Sequence, residues 1–281
     1  VHYVFPSANH TRFEHSLGVY YLAGELINNL KKNQPELNIT NNEILLIKIA
    51  GLCHDLGHGP FSHLLDCILE EKSENKLVLH ERRSILILKY IVEKYNLNLS
   101  NEDLEFIGGI IYPYDLDFKK IKRKFLYEIV SNRTNGIDVD KFDYLKRDTF
   151  YLGMSFSLDC SRIIKHVRVI DDSLCYLDKS YYHILEMFEI RNKLHKQVYK
   201  HKTVVGIEIN ISKSIELIKD LENKIFEPKS FCIYDDYNFL KEYNIKKRKI
   251  YKMIYESKEI TNLFGEIKKL KFGYNHNPFN K

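Results

Sequence analysis

The chain has 281 residues, with 43 Lys and Arg against 38 Asp and Glu, a formal charge of +5. That length exceeds the size at which one core stops growing, so a large domain with a smaller appendage is expected. The modest charge is compatible with phosphate-bearing small molecules or weak nucleic-acid contact and decides nothing further.

Five cysteines, Cys53, Cys67, Cys160, Cys175 and Cys232, are an odd number without CxxC spacing. A disulfide framework and a zinc ribbon are therefore not indicated, and a reducing interior, nuclear or cytoplasmic, is the expected location. The longest apolar run, Ile44 to Cys53, is too short for a membrane span and carries Lys48, so no membrane partner is expected. The sequence opens at Val1 rather than Met, already inside dense motif, so further residues upstream are expected.

In chain order, apolar positions recur at helical spacing through Phe13, Leu17, Tyr20, Tyr21, Gly24 and Ile27, then through Leu45, Ile49 and Leu52. Thr40 and Glu43 stand at capping-box spacing before the second helix, and Gly59-Pro60 is expected to break it. Further helices are predicted near 61–71, 80–95, 101–111, 121–131, 138–150, 159–167, 180–202, 206–225, 233–242 and 246–268. One β-hairpin is predicted, from Val167–Ile170 and Leu174–Leu177 around Asp171-Asp172-Ser173. The fold class is mainly α. The basic runs Lys119–Lys124 and Lys246–Lys249 read as solvated helix faces, with an anion or nucleic-acid site as the minority alternative. A soft boundary at Gly206 separates a helical catalytic domain, 1–205, from a C-terminal helical lobe, 206–281.

The stretch Gly51 to His63 holds His54, Asp55, His58 and His63. Any one of these histidines alone is most often a satisfied, partly buried imidazole, but four acid-base groups in one short segment point to chemistry. Imidazole nitrogen beside carboxylate oxygen suits Zn, Mn, Fe or Ni. On a helix His54 and His58 would lie one turn apart on one face. Three more segments carry related residues: Arg12-Phe13-Glu14-His15, Ile137 through Tyr144, and the i, i+4, i+8 series Arg191, His195, Tyr199. Asp140, Lys141, Tyr144 and Asp148 fall largely on one helix side, mixing a ligand-type carboxylate with groups that bind phosphate and sugar hydroxyls. Ordinary solvated helix faces account for the last two patterns about as well.

Together, His15, His54-Asp55 and Asp140 resemble the H…HD…D ligand set of HD-domain phosphohydrolases. The strings Tyr3–Pro6, His10–Val19, Ala50–His63, Phe125–Asn132 and Asn135–Lys141 closely resemble the SAM- and HD-domain dNTP triphosphohydrolase family, over about 1–205 and more weakly to near Phe264. The resemblance implies a transition-metal ion, Fe, Mn, Zn or Ni, held by His15, His54, Asp55 and Asp140, with Mg arriving on the substrate. It implies hydrolysis of a deoxynucleoside triphosphate at the α-phosphorus, with His63 as general acid, Asp66 as its carboxylate partner, and His58 and His80 facing the phosphates. Arg12, Lys141, Tyr144 and Arg191 match phosphate-binding positions, Asp148 the acceptor for the 3′-hydroxyl, Tyr199 the ring that crowds the 2′ position, and His195 a base contact. Asp159, Arg162, Lys179, His201 and Lys202 fit a nucleotide-effector pattern (GTP or dNTP) at a subunit interface of a homo-oligomer. Leu177 stands where that pattern has Arg, and His183 where it has Asn. The alternatives are an HD-type hydrolase of another nucleotide or phosphoester, and a nucleotide- or nucleic-acid-binding scaffold.

Overall fold

The structure, a computed structural model, describes residues 1–236 apart from 157, 217 and 219. It is mainly α, with one two-stranded hairpin among the described residues. The first helix, α1 (Arg12–Asn33), starts on a reciprocal capping box between Thr11 and Glu14, and α2 (Asn41–Cys53) starts on the same device between Thr40 and Glu43. α3 (His63–Lys72), α4 (His80–Tyr95) and α5 (Asn101–Ile111) follow. α6 (Val139–Tyr151) is capped by Asp138, whose side chain accepts the Lys141 N–H.

After α6 come α7 (Ser161–His166), β1 (Arg168–Ile170), β2 (Ser173–Cys175) and α8 (Tyr181–Leu194). The hairpin pairs Arg168 with Cys175, Val169 with Leu174 and Ile170 with Ser173. Its two turn residues, Asp171 and Asp172, have φ of 48° and 59°, the left-handed pair a tight type I′ connection needs. Ser173 therefore belongs to the strand, and the turn is one residue shorter than predicted.

Two apolar clusters form the interior. The larger joins α1, α2, α5, α6 and α8 through residues such as Val19, Leu26, Ile47, Ile107, Phe142 and Ile190. The smaller joins α3 and α4 to α9 (Lys202–Glu216), α10 (Leu221–Phe226) and α11 (Pro228–Phe231) through Leu65, Leu69, Ile87, Ile211 and Phe231. Leu56, in the loop after α2, packs against both. The loop that carries the His-Asp pair thus lies at the junction of the two cores.

Several sequence expectations need correction. On α1 the buried face is Ser16, Val19, Ala23, Leu26, Ile27 and Leu30, whereas Phe13, Leu17 and Tyr21 point outward. Leu45 of α2 is likewise exposed. Both helices are apolar on more than one side, so spacing alone did not select the inner stripe. Residues 121–131 are not an α-helix: Arg123 takes a left-handed φ of 59°, and only a short 3₁₀ turn, Lys124–Glu128, follows. Buried Glu128 is committed elsewhere, accepting from Thr134 Oγ1 at 2.7 Å and from the Leu174 N–H at 2.8 Å.

The helix predicted over 180–202 ends its α portion at Leu194 and continues as a π turn, His195–Tyr199. The one predicted over 206–225 becomes α9, which begins at Lys202 and runs through Gly206, and then the separate α10. Those predicted over 233–242 and 246–268 fall outside the described residues except for 233–236. No helix among the described residues is long and apolar enough to cross a membrane.

Candidate active site

α2 stops at Cys53, earlier than Gly59-Pro60, and residues 54–57 form turns. The cause is a close approach by α4. A Cβ on Gly57 would sit 2.0 Å from the His80 carbonyl oxygen and 2.5 Å from the Ser84 nitrogen. The Gly57 N–H instead donates to Ser84 Oγ at 2.8 Å, and Ser84 Oγ donates to the His54 carbonyl at 2.6 Å. His54 and His58 consequently do not share a helix face; they belong to two adjoining clusters.

The first cluster comprises His15 from α1, His54 and Asp55 from the turn after α2, and Asp140 from α6. His15 Nε2 lies 3.1 Å from Asp140 Oδ1 and 3.7 Å from Asp55 Oδ2. His54 Nε2 lies 3.3 Å from Asp55 Oδ1 and 3.6 Å from Asp140 Oδ1. Each imidazole uses its other nitrogen to face an acceptor: His15 Nδ1 is 2.8 Å from Asp143 Oδ2, and His54 Nδ1 is 2.8 Å from the Gly51 carbonyl. With Nδ1 of each ring facing an acceptor, Nε2, which faces the carboxylates, is the nitrogen that would bind an ion after giving up any proton it carries.

Burial opposes charge on His15, yet Asp140, Asp143 and Asp55 overcome it and push the imidazole up to about 10. The pocket is therefore short of positive charge. His54 Nε2 is buried without a hydrogen-bond partner. Ligand atoms about 2.1 Å from one ion lie about 3.0–3.4 Å apart at neighbouring vertices, close to the spacings here. The donor set, its orientation and its field fit a divalent metal ion. Gly18 helps to build it: a Cβ there would fall 1.8 Å from Asp143 Oδ1, so only glycine lets α6 bring that carboxylate to His15.

Asp55 links this cluster to the second, with Oδ1 3.5 Å from His58 Nε2. There Asp66 Oδ2 lies 2.9 Å from His80 Nδ1, 3.6 Å from His58 Nδ1 and 3.8 Å from His63 Nδ1. The His63 separation exceeds a hydrogen bond, and the close partners of Asp66 are His80 and Arg83, whose guanidinium pairs with Asp66 Oδ1. Burial works against ionising Asp66, but His63, His80 and Arg83 hold its carboxyl well below the usual range. His63 itself is open to solvent, its side chain 71% exposed. Burial, reinforced by Arg12 and His80, keeps His58 far below the ordinary imidazole range and hence neutral.

Along the other wall, Arg12 Nη1 donates to Asp55 Oδ2 at 2.5 Å and Nε donates to Ser62 Oγ at 2.9 Å. Lys141 Nζ donates to Asp138 Oδ2 at 2.8 Å. Burial pushes the Tyr144 phenol up to about 12 despite neighbouring Arg191. Tyr199 donates its hydroxyl to Asp148, and His10 Nε2 lies 2.8 Å from the other Asp148 oxygen. These three line a cavity of about 190 Å³ with Ala8 and Leu152. His195 packs edge-on to Tyr199, with ring centroids 5.1 Å apart.

The effector-type residues come from three different places along the chain. Asp159 and Arg162 stand at the start of α7, Lys179 just before α8, and His201 and Lys202 at the start of α9. No hydrogen bond or ion pair joins any two of the five among the described residues. Sequence reasoning gave no role to Asp143, Arg83 or His10. Asp143 carried a signal, being three residues after Asp140 on one helix. Arg83 carried a weaker one, an Arg four residues before buried Ile87 on α4. His10 sat inside a recognised string with nothing to mark its partner 138 residues away.

A mainly α fold presenting paired His-Asp clusters of this kind defines a helical scaffold with residues placed to hold a metal ion. The HD domain family profile matches residues 12–148, and the chain belongs to the HD-domain family. It is 42% identical over 238 residues to the deoxynucleoside triphosphate triphosphohydrolase SAMHD1 homolog of Dictyostelium discoideum, covering 83% of this chain and 46% of that protein. It is 44% identical over 226 residues to the deoxynucleoside triphosphate triphosphohydrolase SAMHD1 of Homo sapiens, covering 72% and 36% respectively. An HD domain-containing protein of Acanthamoeba polyphaga mimivirus is 35% identical over 305 residues, covering 91% and 65%. The chain spans less than half the length of the first two relatives.

Proposed function

We propose that this protein hydrolyses deoxynucleoside triphosphates to deoxynucleoside and inorganic triphosphate. The observation that carries the proposal is the pairing of a metal-type cluster with a histidine cluster joined to it through Asp55; Asp148 and Tyr199, hydrogen-bonded to each other, line a small cavity. Similarity to two proteins named as triphosphohydrolases supports the same substrate.

His15, His54, Asp55 and Asp140 would hold the ion, and their mixed nitrogen and oxygen donors suit Fe, Mn, Zn or Ni. When bound, such an ion lowers the pKa of a water and neutralises charge on phosphate oxygens. Water attacks the α-phosphorus, the bond to the 5′ oxygen breaks, and that oxygen takes a proton from His63. His63 is exposed enough to meet the leaving group and to be reprotonated from solvent. Asp66, held ionised, faces the imidazoles of His80, His58 and His63.

Lys141, Tyr144, Arg191 and Arg12 bind the phosphates, with His80 and the neutral His58 beside them. Arg12 donates to Asp55 Oδ2 in this structure and would be free to turn toward the phosphates if Asp55 served as a metal ligand. Asp148 accepts the sugar 3′-hydroxyl, Tyr199 fills the space a 2′-hydroxyl would need, and His195 contacts the base. Asp159, Arg162, Lys179, His201 and Lys202 extend the proposal to nucleotide control between subunits, without the bidentate phosphate contact that Leu177, in place of Arg, does not supply.

Changing His54 and Asp55 together to Ala tests the assignment. Both the bound transition metal and hydrolysis should vanish. Metal content equal to that of the unmodified protein would reject the ligand set.

A further inference from the structure

His58 presents an unusual arrangement. Its side chain is 2% exposed, its Nε2 faces Asp55 Oδ1 at 3.5 Å, and its Nδ1 is buried with no hydrogen-bond partner, 3.6 Å from Asp66 Oδ2. With the proton on Nε2, a lone pair and a carboxylate oxygen face each other with no donor between them. With the proton on Nδ1, the gap is too long for a hydrogen bond. Either way a polar pair is left incompletely satisfied in a buried place, which costs free energy that a cation between them would recover.

The other two imidazoles converge on the same oxygen. His80 Nδ1 is 2.9 Å and His63 Nδ1 3.8 Å from Asp66 Oδ2, and all four residues offer ligand atoms within 4.8 Å of one another. Ligands about 2.0–2.2 Å from a tetrahedral ion lie about 3.4 Å apart, in the middle of these spacings. Arg83 occupies only Asp66 Oδ1, leaving Oδ2 for an ion while fixing the carboxylate from behind. The His58 and His80 rings stack 3.7 Å apart at 15°, so joint coordination requires one ring to swing outward. Exposed His63 provides the way in.

We propose that His58, His63, Asp66 and His80 form a second transition-metal site of the zinc type, separate from the His15/His54/Asp55/Asp140 site, and that filling it inhibits the enzyme. Binding stands on the geometry alone. Inhibition rests on the proposed role of His63, because an ion on His63 Nδ1 pins the ring and prevents it from being protonated as an acid.

Titration of the metal-free protein with Co(II), followed by elemental analysis and visible absorption, tests the site. Two equivalents should bind, one of them with the intense bands of four-coordinate Co(II). His63→Ala removes a surface side chain with little risk to folding. It should keep the first equivalent and weaken the second by at least about 100-fold, the upper range for disturbing a metal's surroundings. His80→Ala, verified as folded by circular dichroism, should do the same. Saturation of the unmodified protein at one equivalent, or an unchanged second equivalent in both variants, would overturn the site. Hydrolysis of a dNTP should fall in step with occupancy of the second equivalent. Full turnover with both ions bound would overturn inhibition, whereas a protein inactive at every loading would count against the proposed function and leave the metal count to decide the site.

Discussion

Replacing Arg83 by Met strands a buried carboxylate, and the consequence can be worked out from its contacts. Arg83 is among the largest fully buried side chains, at 1% exposure, and Asp66 beside it is 6% exposed. Besides its ion pair, the guanidinium donates to the carbonyls of Gly57 at 2.9 Å, Leu77 at 2.7 Å and Val78 at 2.8 Å. Breaking a buried pair from one side costs about 3–5 kcal/mol, and unpaired carbonyls add about 1 kcal/mol each where water cannot reach them. Methionine regains part of this by filling the same volume with apolar atoms. A net loss of about 5 kcal/mol is expected, within the whole stability of an ordinary domain. At a urea slope of about 2.5 kcal/mol/M, the unfolding midpoint should fall by about 2 M. Adding Asp66→Asn removes the stranded charge, so the double variant should be more stable than Arg83→Met alone. A midpoint shift below about 0.5 M, or strict additivity of the two changes, would refute the claim that this pair holds the histidine cluster together.

Two further outcomes test other parts of the site. His63→Ala should lower turnover by about 10²- to 10⁴-fold while nucleotide binding and the metal at His54 and Asp55 persist; an unchanged rate would remove His63 from the reaction. His195 should titrate near 4, because burial, then Arg191 and Lys200, disfavour its charged form. A base with a depressed folded-state pKa contributes stability that is complete above about 6.5, its unfolded value, and lost as pH falls toward 4. Imidazole resonances followed by NMR, assigned with His195→Gln, should show this, and a midpoint at or above 6.5 would contradict the burial argument.

The residues of the metal-type cluster were legible because three of the four sit in short dense strings: His15 beside Arg12, and His54 with Asp55. Local geometry was less so. Helical spacing put His54 and His58 on one face, but a tertiary contact, α4 against Gly57, ends the helix first and sends them to different clusters. The same kind of long-range determinant hid Arg83. A sequence marks it as a cation on a helix and says nothing of the carboxylate 17 residues earlier that makes its burial tolerable. His63 and Asp66 looked like a pair from their spacing, since three residues on a helix are neighbours. His80 arrives from α4 and takes the closer position. On α1 the outward Phe13, Leu17 and Tyr21 match the helical period as well as the buried residues do, and only packing against α2 and α6 distinguishes them.

The most direct test of the central claim is to incubate the metal-loaded protein with each dNTP and quantify every product. Deoxynucleoside and inorganic triphosphate should appear in equal amounts, because attack at the α-phosphorus with departure of the 5′ oxygen leaves the three phosphates joined. Release of orthophosphate or pyrophosphate with a nucleotide product, or no hydrolysis of any dNTP by protein carrying its metal, would contradict it.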